Sequence, residues 1–320
     1  MTASTVPRRL ATRRRVVGLV VALVIGMAVA VQARINGELA GRIGDGVAAA
    51  LLSFLGGELI LLALVLVLPG MRRGMARVVG ALRGGRLRPW QILGGFCGAF
   101  LVITQGLTVG AIGVALFTVA VVAGQATSSL VVDRMGLGPG EARPVSVPRI
   151  LGALLTIGAV LLAVSDRLAT HSALGLAALP VVAGVGIAWQ QAVNGRVSAT
   201  AGSPLSATLV NFTVGTVLLL VVAGIVVAAR GLPGPLPGEP LLYVGGLLGI
   251  LFIAAAAVIV PLTGVLLLGL GTVAGQLAGA LLLDLFVPAD GEHLTAATVA
   301  GTALTLVAVA VAALPARRRV

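Results

Sequence analysis

Apolar residues run along this chain in ten long stretches, and the short segments between them carry most of the charge. A run of about 20 apolar residues, wound as a helix, matches the thickness of a bilayer core. The pattern predicts helices over roughly 16–35, 47–68, 90–110, 112–132, 149–165, 174–194, 204–229, 241–259, 262–286 and 295–314. Residues 90–132 and 240–283 hold no charge, and each stretch is long enough for two spans joined by a tight turn. The expected fold is an all-α membrane protein with ten transmembrane helices.

The polar positions within these stretches recur. Gln32, Asn36, Gly37, Phe54 and Gly57 return as Gln190, Asn194, Gly195, Phe212 and Gly215, at an offset of 158. Pro89, Gly94, Gly95, Gly124, Gln125 and Asp133 return as Pro240, Gly245, Gly246, Gly275, Gln276 and Asp284, at an offset of 151. Gly152 and Thr156 return as Gly301 and Thr305, at 149. Each half holds five predicted spans, so the second copy starts on the opposite side of the membrane, a construction used by secondary transporters. The organisation is a basic cytoplasmic N-terminus (1–15), a first five-helix repeat (16–165), an outer linker (166–173), a second, inverted repeat (174–314) and a basic cytoplasmic tail (315–320). The second copy is shorter around 69–89, where Pro69, Gly70, Gly84 and Gly85 accompany a cluster of arginines. That segment reads as a solvated linker outside the shared machinery.

Charge sharpens the picture. The net charge is +12, and every basic residue is arginine. In a soluble protein this excess would suggest nucleic acid. Here the arginines track the loops, clustering at 8–15, 72–88, 134–149 and 317–319, so the positive-inside rule accounts for them and no nucleic-acid partner is expected. Both termini are then cytoplasmic. Arg13, Arg14 and Arg15 ahead of an apolar run also look like an export signal. Gln32 and Asn36 have mates in the second half, which argues that this segment is retained as the first span.

Composition excludes several chemistries. Without lysine there is no Walker A motif and no Schiff base, so an ATP-driven pump is not expected. A single cysteine, Cys97, leaves no intrachain disulfide and reads as a small packed hydrophobe. His171 and His293, with Asp290 and Glu292 near the second, make a poor metal set in outer loops. No cofactor is expected, and the lack of a clustered catalytic set argues against an enzyme. The 45 glycines fit closely packed membrane helices.

The candidate residues are the polar ones at membrane depth. Gln32 and Asn36 share one helix face, and together with Gln276 and Asp284 they form a candidate outer gate. Their mates Gln190, Asn194, Gln125 and Asp133 form a candidate inner gate. Amides suit such gates because they donate and accept without a buried charge. The alternative is interhelical glue, with Asn36-Gly37 as a helix C-cap and Asp133 and Asp284 as helix-end acids in water. Glu58 is an acid inside a span, near the bilayer midplane, and its mate is Thr216. It is a candidate for the substrate or proton pathway, or else a neutral acid bonded to a neighbour. Trp189, beside Gln190, suits stacking on a cationic or planar substrate, or an interfacial belt, the expected place of Trp90.

Gln32, Asn36 and Gly37, then Phe54 and Gly57, then Gly124 and Gln125 with Asp133 beyond, resemble the YdcZ-like branch of the drug/metabolite transporter superfamily, in both halves. The resemblance implies a DMT/EamA-like bundle of two inverted five-helix repeats in the bacterial inner membrane, moving a small metabolite or drug-like molecule. Small multidrug transporters, relatives in that superfamily, use a membrane glutamate on their first helix, whereas the first span here has no internal acid. The leading expectation is a secondary transporter, an exporter with proton coupling as one option, whose partners are a small-molecule substrate and membrane lipids. A lipid-carrier flippase of the same fold and a non-transporting membrane subunit are the alternatives. The fifth and tenth spans, poor in polar residues, are candidates for peripheral or homodimer-forming helices.

Overall fold

The computed structural model describes residues 8–163, 165, 174–286 and 295–314, with the side chains of 8–15, 106, 109–116, 163, 174, 175 and 284 excepted. His171, His293, Asp290, Glu292 and the whole of the linker 166–173 lie outside the described residues. Regular structure within them is helical: α1 (Arg8–Ile43), α2 (Gly46–Val67), α3 (Pro69–Arg83), α4 (Gly94–Arg134), α5 (Val147–Ala163), α6 (Ala178–Ala201), α7 (Pro204–Arg230), α8 (Gly245–Thr263), α9 (Val265–Phe286) and α10 (Ala296–Ala313).

Two helices outrun the hydrophobic pattern. Asn36-Gly37 is not a C-cap: α1 continues to Ile43 and stops at Gly44, whose φ of 75° is left-handed. Its mate α6 continues through Asn194 to Ala201 and stops at Gly202, with φ 60°. An interior glycine costs a helix only about 1 kcal/mol, less than the flanking packing supplies. Asp45 then caps α2 by accepting from Val47 N and Ala48 N, and its mate Ser203 caps α7 by accepting from Ser206 N. The repeat therefore extends into the turn chemistry, with different capping residues doing one job.

The segment 69–89 is not a solvated linker. Its first fifteen residues form α3, with Pro69 in the first turn and Met71, Gly74, Val78 and Ala81 buried along one face. That face packs on the ends of α6 and α7, where Ser206 Oγ donates to Met71 O at 3.1 Å and Arg77 Nη1 donates to Ala201 O at 2.9 Å. The helical period was hidden by arginines on the opposite face.

α4 is helical without interruption over 41 residues, where two helices were expected. A straight helix of that length spans about 60 Å. Yet Gly94 sits at Asn194, and Leu137, just past the other end, accepts from Arg196. Both ends therefore meet the same end of α6. The first arm runs antiparallel to α6, through Cys97 at Gly186, and the second runs parallel to it, through Val121 at Gly184. The chain folds back between these arms while keeping helical backbone.

α5 and α10 pack on each other. A Cβ on Gly152 would stand 2.4 Å from Ala312 Cβ, so the backbones meet closely. Their other faces expose Leu151, Leu154, Leu306 and Val307, as lipid-facing helices do. Most of the arginine-bearing segments gather at one end of the bundle, hereafter the basic end. It holds α3, both ends of α4, the α8–α9 turn and the C-terminus of α6.

Candidate functional site

The two halves repeat their helix crossings atom for atom. Gly124 of α4 lies against Val181 O of α6, and its mate Gly275 of α9 lies against Leu23 O of α1; an added Cβ would come within 2.1 Å in both cases. Gly184 meets Val121 O and its mate Gly26 meets Thr272 O. Only glycine lets these backbones approach so closely. The crossings make two equivalent seams, α1 with α9 and α6 with the second arm of α4.

The seams differ at their far ends. On α1 the stripe Gly26, Ala30, Ala33, Gly37 faces α9, and on α6 the matching stripe is Gly184, Ala188, Gln191, Gly195. Ala33 and Gly37 are exposed, whereas Gln191 is 4% exposed and Gly195 is buried. Leu285 and Phe286 at the same end of α9 are exposed as well. Among the described residues the α1–α9 seam is thus exposed at the end opposite the arginines, while the α6–α4 seam is buried to the basic end. There Gly195 packs on Pro139 and Val260.

Asp133 is central to that shut end. It is 7% exposed, so its reading as a helix-end acid in water is overturned. Its carboxylate accepts from Val265 N at 2.7 Å and Leu266 N at 3.1 Å, satisfying the otherwise unpaired N–H groups that open α9. It also pairs with the buried Arg149, which donates from its other terminal nitrogen to Pro144 O. Arg143 donates to Pro261 O and Leu262 O, and Arg196 donates to Gly136 O, Leu137 O and Gly138 O. These bonds tie the turn after α4 to α6 and to the α8–α9 turn. At the opposite end Arg42 bonds Glu38 at 2.8 Å and Glu239, a solvent-exposed clip from α1 to the start of α8. Arg42 holds the Glu239 carboxyl below its ordinary range.

The spacing of the amides, repeated in both halves, has a geometric meaning: each lies over a glycine. Gln32 is beside Gly249 and donates to Gly245 O at 2.9 Å, while Asn36 sits on Gly245 beside Ser53. In the other half Gln190 is beside Gly98, and Asn194 sits on Gly94 and donates to Asn211 Oδ1 at 2.8 Å. Ser53 and Asn211 are themselves repeat mates. Gln125 is set apart from Gln190 and Asn194, its amide against Gly269 of α9. Gln276 meets α1 at Gly26, more than a helical turn from Gln32. Gln32 and Asn36 thus face α8, apart from the Gln276 backbone at Gly26, and Gln190 and Asn194 face the first arm of α4, apart from Gln125 at α9 and Asp133 at the start of α9.

Glu58 lies half-buried where α2 meets α7, and accepts from Thr213 Oγ1 at 2.7 Å. Leu59, Leu62, Val217 and Leu220 beside this pair are exposed, so it sits at the bilayer-facing edge of the α2–α7 contact. Trp189 stacks on Trp90, with centroids 6.1 Å apart and an interplanar angle of 28°, so one indole face is already covered.

Several buried polar atoms have no hydrogen-bond partner among the described residues: Asn36 Oδ1, Glu58 Oε2, Gln190 Oε1, Thr216 Oγ1 and both amide atoms of Gln191. Gln191 was not singled out from sequence because its mate is Ala33, and comparison of the halves selects only what both keep. Its adjacency to Gln190 within an apolar span was the available signal.

These features define a duplicated helical membrane transporter. A family model described as "Putative inner membrane exporter, YdcZ" matches residues 17–162 and 175–311, and the chain belongs to this family of the drug/metabolite transporter superfamily. Among solved structures twelve chains match; one, described only as a crystal structure of a protein, aligns with a TM-score of 0.64 at 20% identity, over 98% of this chain and 100% of its own, a similarity of fold. No curated protein matches it.

Proposed function

We propose that the chain is a secondary transporter that exports a small metabolite or drug-like molecule by alternating access. Ten spans form two inverted five-helix repeats, with the basic end and both termini in the cytoplasm. The observation that carries this reading is the contrast between equal crossings and unequal ends. Gly26 and Gly275 repeat the contacts of Gly184 and Gly124, yet Ala33 is exposed where Gln191 is buried. Two copies of one seam, one open and one shut, are what an outward-open carrier requires. The inward-open state exchanges their roles, opening the Gln191 seam and releasing the turn held by Asp133, Arg143, Arg149 and Arg196.

The unpartnered amide atoms of Gln191 and Gln190 are the ligand contacts in this reading, since a buried amide left unpaired costs about 1–3 kcal/mol that a bound solute offsets. Glu58 is the coupling group. An ionised acid at bilayer centre costs about 2.5–3.5 kcal/mol on insertion scales, and proton binding removes that cost. The place of Glu58 and Thr213 at the bilayer-facing edge of the α2–α7 contact favours a second reading, a flippase whose lipid substrate enters sideways.

Solid-supported-membrane electrophysiology on proteoliposomes tests this, using pooled small cations, amino acids and organic acids. A substrate-dependent current, lost in Glu58→Gln, is expected. A current that survives the substitution makes Glu58 structural. Silence in both proteins, with lipid scrambling present, moves the function to the flippase.

A further inference from the structure

A groove of about 330 Å³ lies at the basic end, lined by Leu68, Pro69, Gly70 and Met71 from the α2–α3 junction and by Gly202, Ser203, Pro204 and Leu205 from the α6–α7 junction. This volume falls within the range of small-ligand sites. Its walls are largely apolar, and it continues the bilayer-facing surface of α2, where Leu66 is 75% and Val67 is 73% exposed. Three exposed arginines of α3 bond carbonyls at or near its lining. Arg72 donates to Leu66 O, Arg73 to Pro69 O, and Arg77 reaches Ala201 O beside Gly202. Each donates one nitrogen to a backbone carbonyl and leaves its other guanidinium nitrogens for a ligand, the Arg77 bond at 2.9 Å being the shortest and the Arg73 bond at 3.4 Å the longest.

The groove is not part of the duplicated machinery. At the opposite end α7 runs on to Arg230 and is followed by a glycine- and proline-rich segment without helix, in which Gly234 N bonds Ile43 O. Neither a counterpart of α3 nor an arginine triad stands there among the described residues. A feature confined to one end, apolar inside and flanked by three arginines, matches a ligand found at one membrane surface.

We propose that this groove binds an anionic phospholipid, with its phosphate on Arg72, Arg73 and Arg77 and the upper part of an acyl chain between α3 and the α6–α7 turn. Guanidinium forks suit a phosphodiester. The cytoplasmic leaflet supplies anionic headgroups at the depth where α2 leaves the hydrocarbon. The proposal rests on the orientation given above for the leaflet alone. Bound there, the lipid clamps α2, α3 and α7 at the end that must open when the carrier faces inward.

Native mass spectrometry of delipidated protein in detergent tests the site, titrating phosphatidylglycerol against phosphatidylcholine. Arg72→Gln/Arg73→Gln keeps the Arg77 bond to α6. The expected loss in phosphatidylglycerol affinity is about thirtyfold, at roughly 1 kcal/mol per arginine. Gly70→Leu fills the groove from a position where an added Cβ meets nothing within 4 Å, and it should weaken binding with the arginines intact. Unchanged phosphatidylglycerol binding in either variant overturns the proposal. So does equal binding of the two lipids, or competition by chain-free glycerophosphoglycerol as strong as that by the lipid, which would mean a simple anion site. Binding read in detergent is independent of transport and orientation, so its failure is distinct from a failure of the transporter reading.

Discussion

Phe54 and Phe212 are repeat mates, and their rings meet with centroids 5.2 Å apart and planes inclined at 37°. A residue that touches its own mate must lie on the axis relating the two copies. That axis therefore passes through the α2–α7 contact, and Gly57 and Gly215 flank it, each receiving the opposite phenylalanine where a side chain would stand. The two halves are thus joined by a symmetric contact on that axis.

Truncating the rings should reveal that coupling. Phe212→Ala, at a fully buried position, should cost about 3 kcal/mol, and Phe54→Ala somewhat less. The double variant should fall short of the sum by about 0.5–1.5 kcal/mol. Reversible unfolding in mixed detergent micelles measures all three; strict additivity would deny the ring contact.

The crossing glycines should tolerate nothing larger. Gly124→Ala and Gly275→Ala each force a methyl against a carbonyl oxygen and should destabilise by about 1–3 kcal/mol. Gly80→Ala, in α3 with no atom within 4 Å of its would-be Cβ, should stabilise by about 0.5–1 kcal/mol. Thermal unfolding of the three variants distinguishes packing from a general effect of added methyl groups.

Asp133→Asn should leave Arg149 buried without its counter-charge, at a cost of about 3–5 kcal/mol. Asp133→Asn/Arg149→Met should recover part of it. If the single variant is as stable as the parent, the basic end is not held by this pair.

Much of this organisation was legible in the sequence because membrane spans and repeats leave long-range, redundant signals. The offset of 158 paired Phe54 with Phe212, and the structure puts them in contact. What the sequence hid is physical in each case. The turn of α1 at Gly44 was displaced from Asn36 because an interior glycine only weakens a helix, whereas Gly44 in the left-handed region ends it. The α3 helix was masked by its arginines, since its buried face is made of small and flexible residues such as Gly74 and Met71. The amide sites could be paired by repeat but not by partner, because sequence does not say that Gln190 looks at Gly98 and Gln125 at Gly269.

The clip at the opposite end should respond to acid. Arg42 lowers the carboxyl of Glu239, so the folded state holds that proton less tightly than the unfolded chain. The contribution is complete above the ordinary glutamate range and disappears as pH falls through the lowered value. Pulsed EPR between spin labels at positions 41 and 238 should broaden on acidification below about pH 4, the ordinary glutamate region. Arg42→Gln should be broad throughout. The pair is solvent-exposed, so the global unfolding temperature should barely move.

The unequal seams are the centre of the account, and cysteine accessibility tests them most directly. In a Cys97→Ala background, Ala33→Cys and Gln191→Cys place single thiols at repeat-equivalent positions in oriented vesicles. Membrane-impermeant maleimide applied from the side opposite the basic end should label position 33 quickly. The same reagent applied from the basic end should label position 191 slowly. Reversing a substrate gradient should narrow the difference by admitting the inward-open state. Equal, rapid labelling of both positions from their respective sides, with or without a gradient, would contradict the account, because both seams would then be open together.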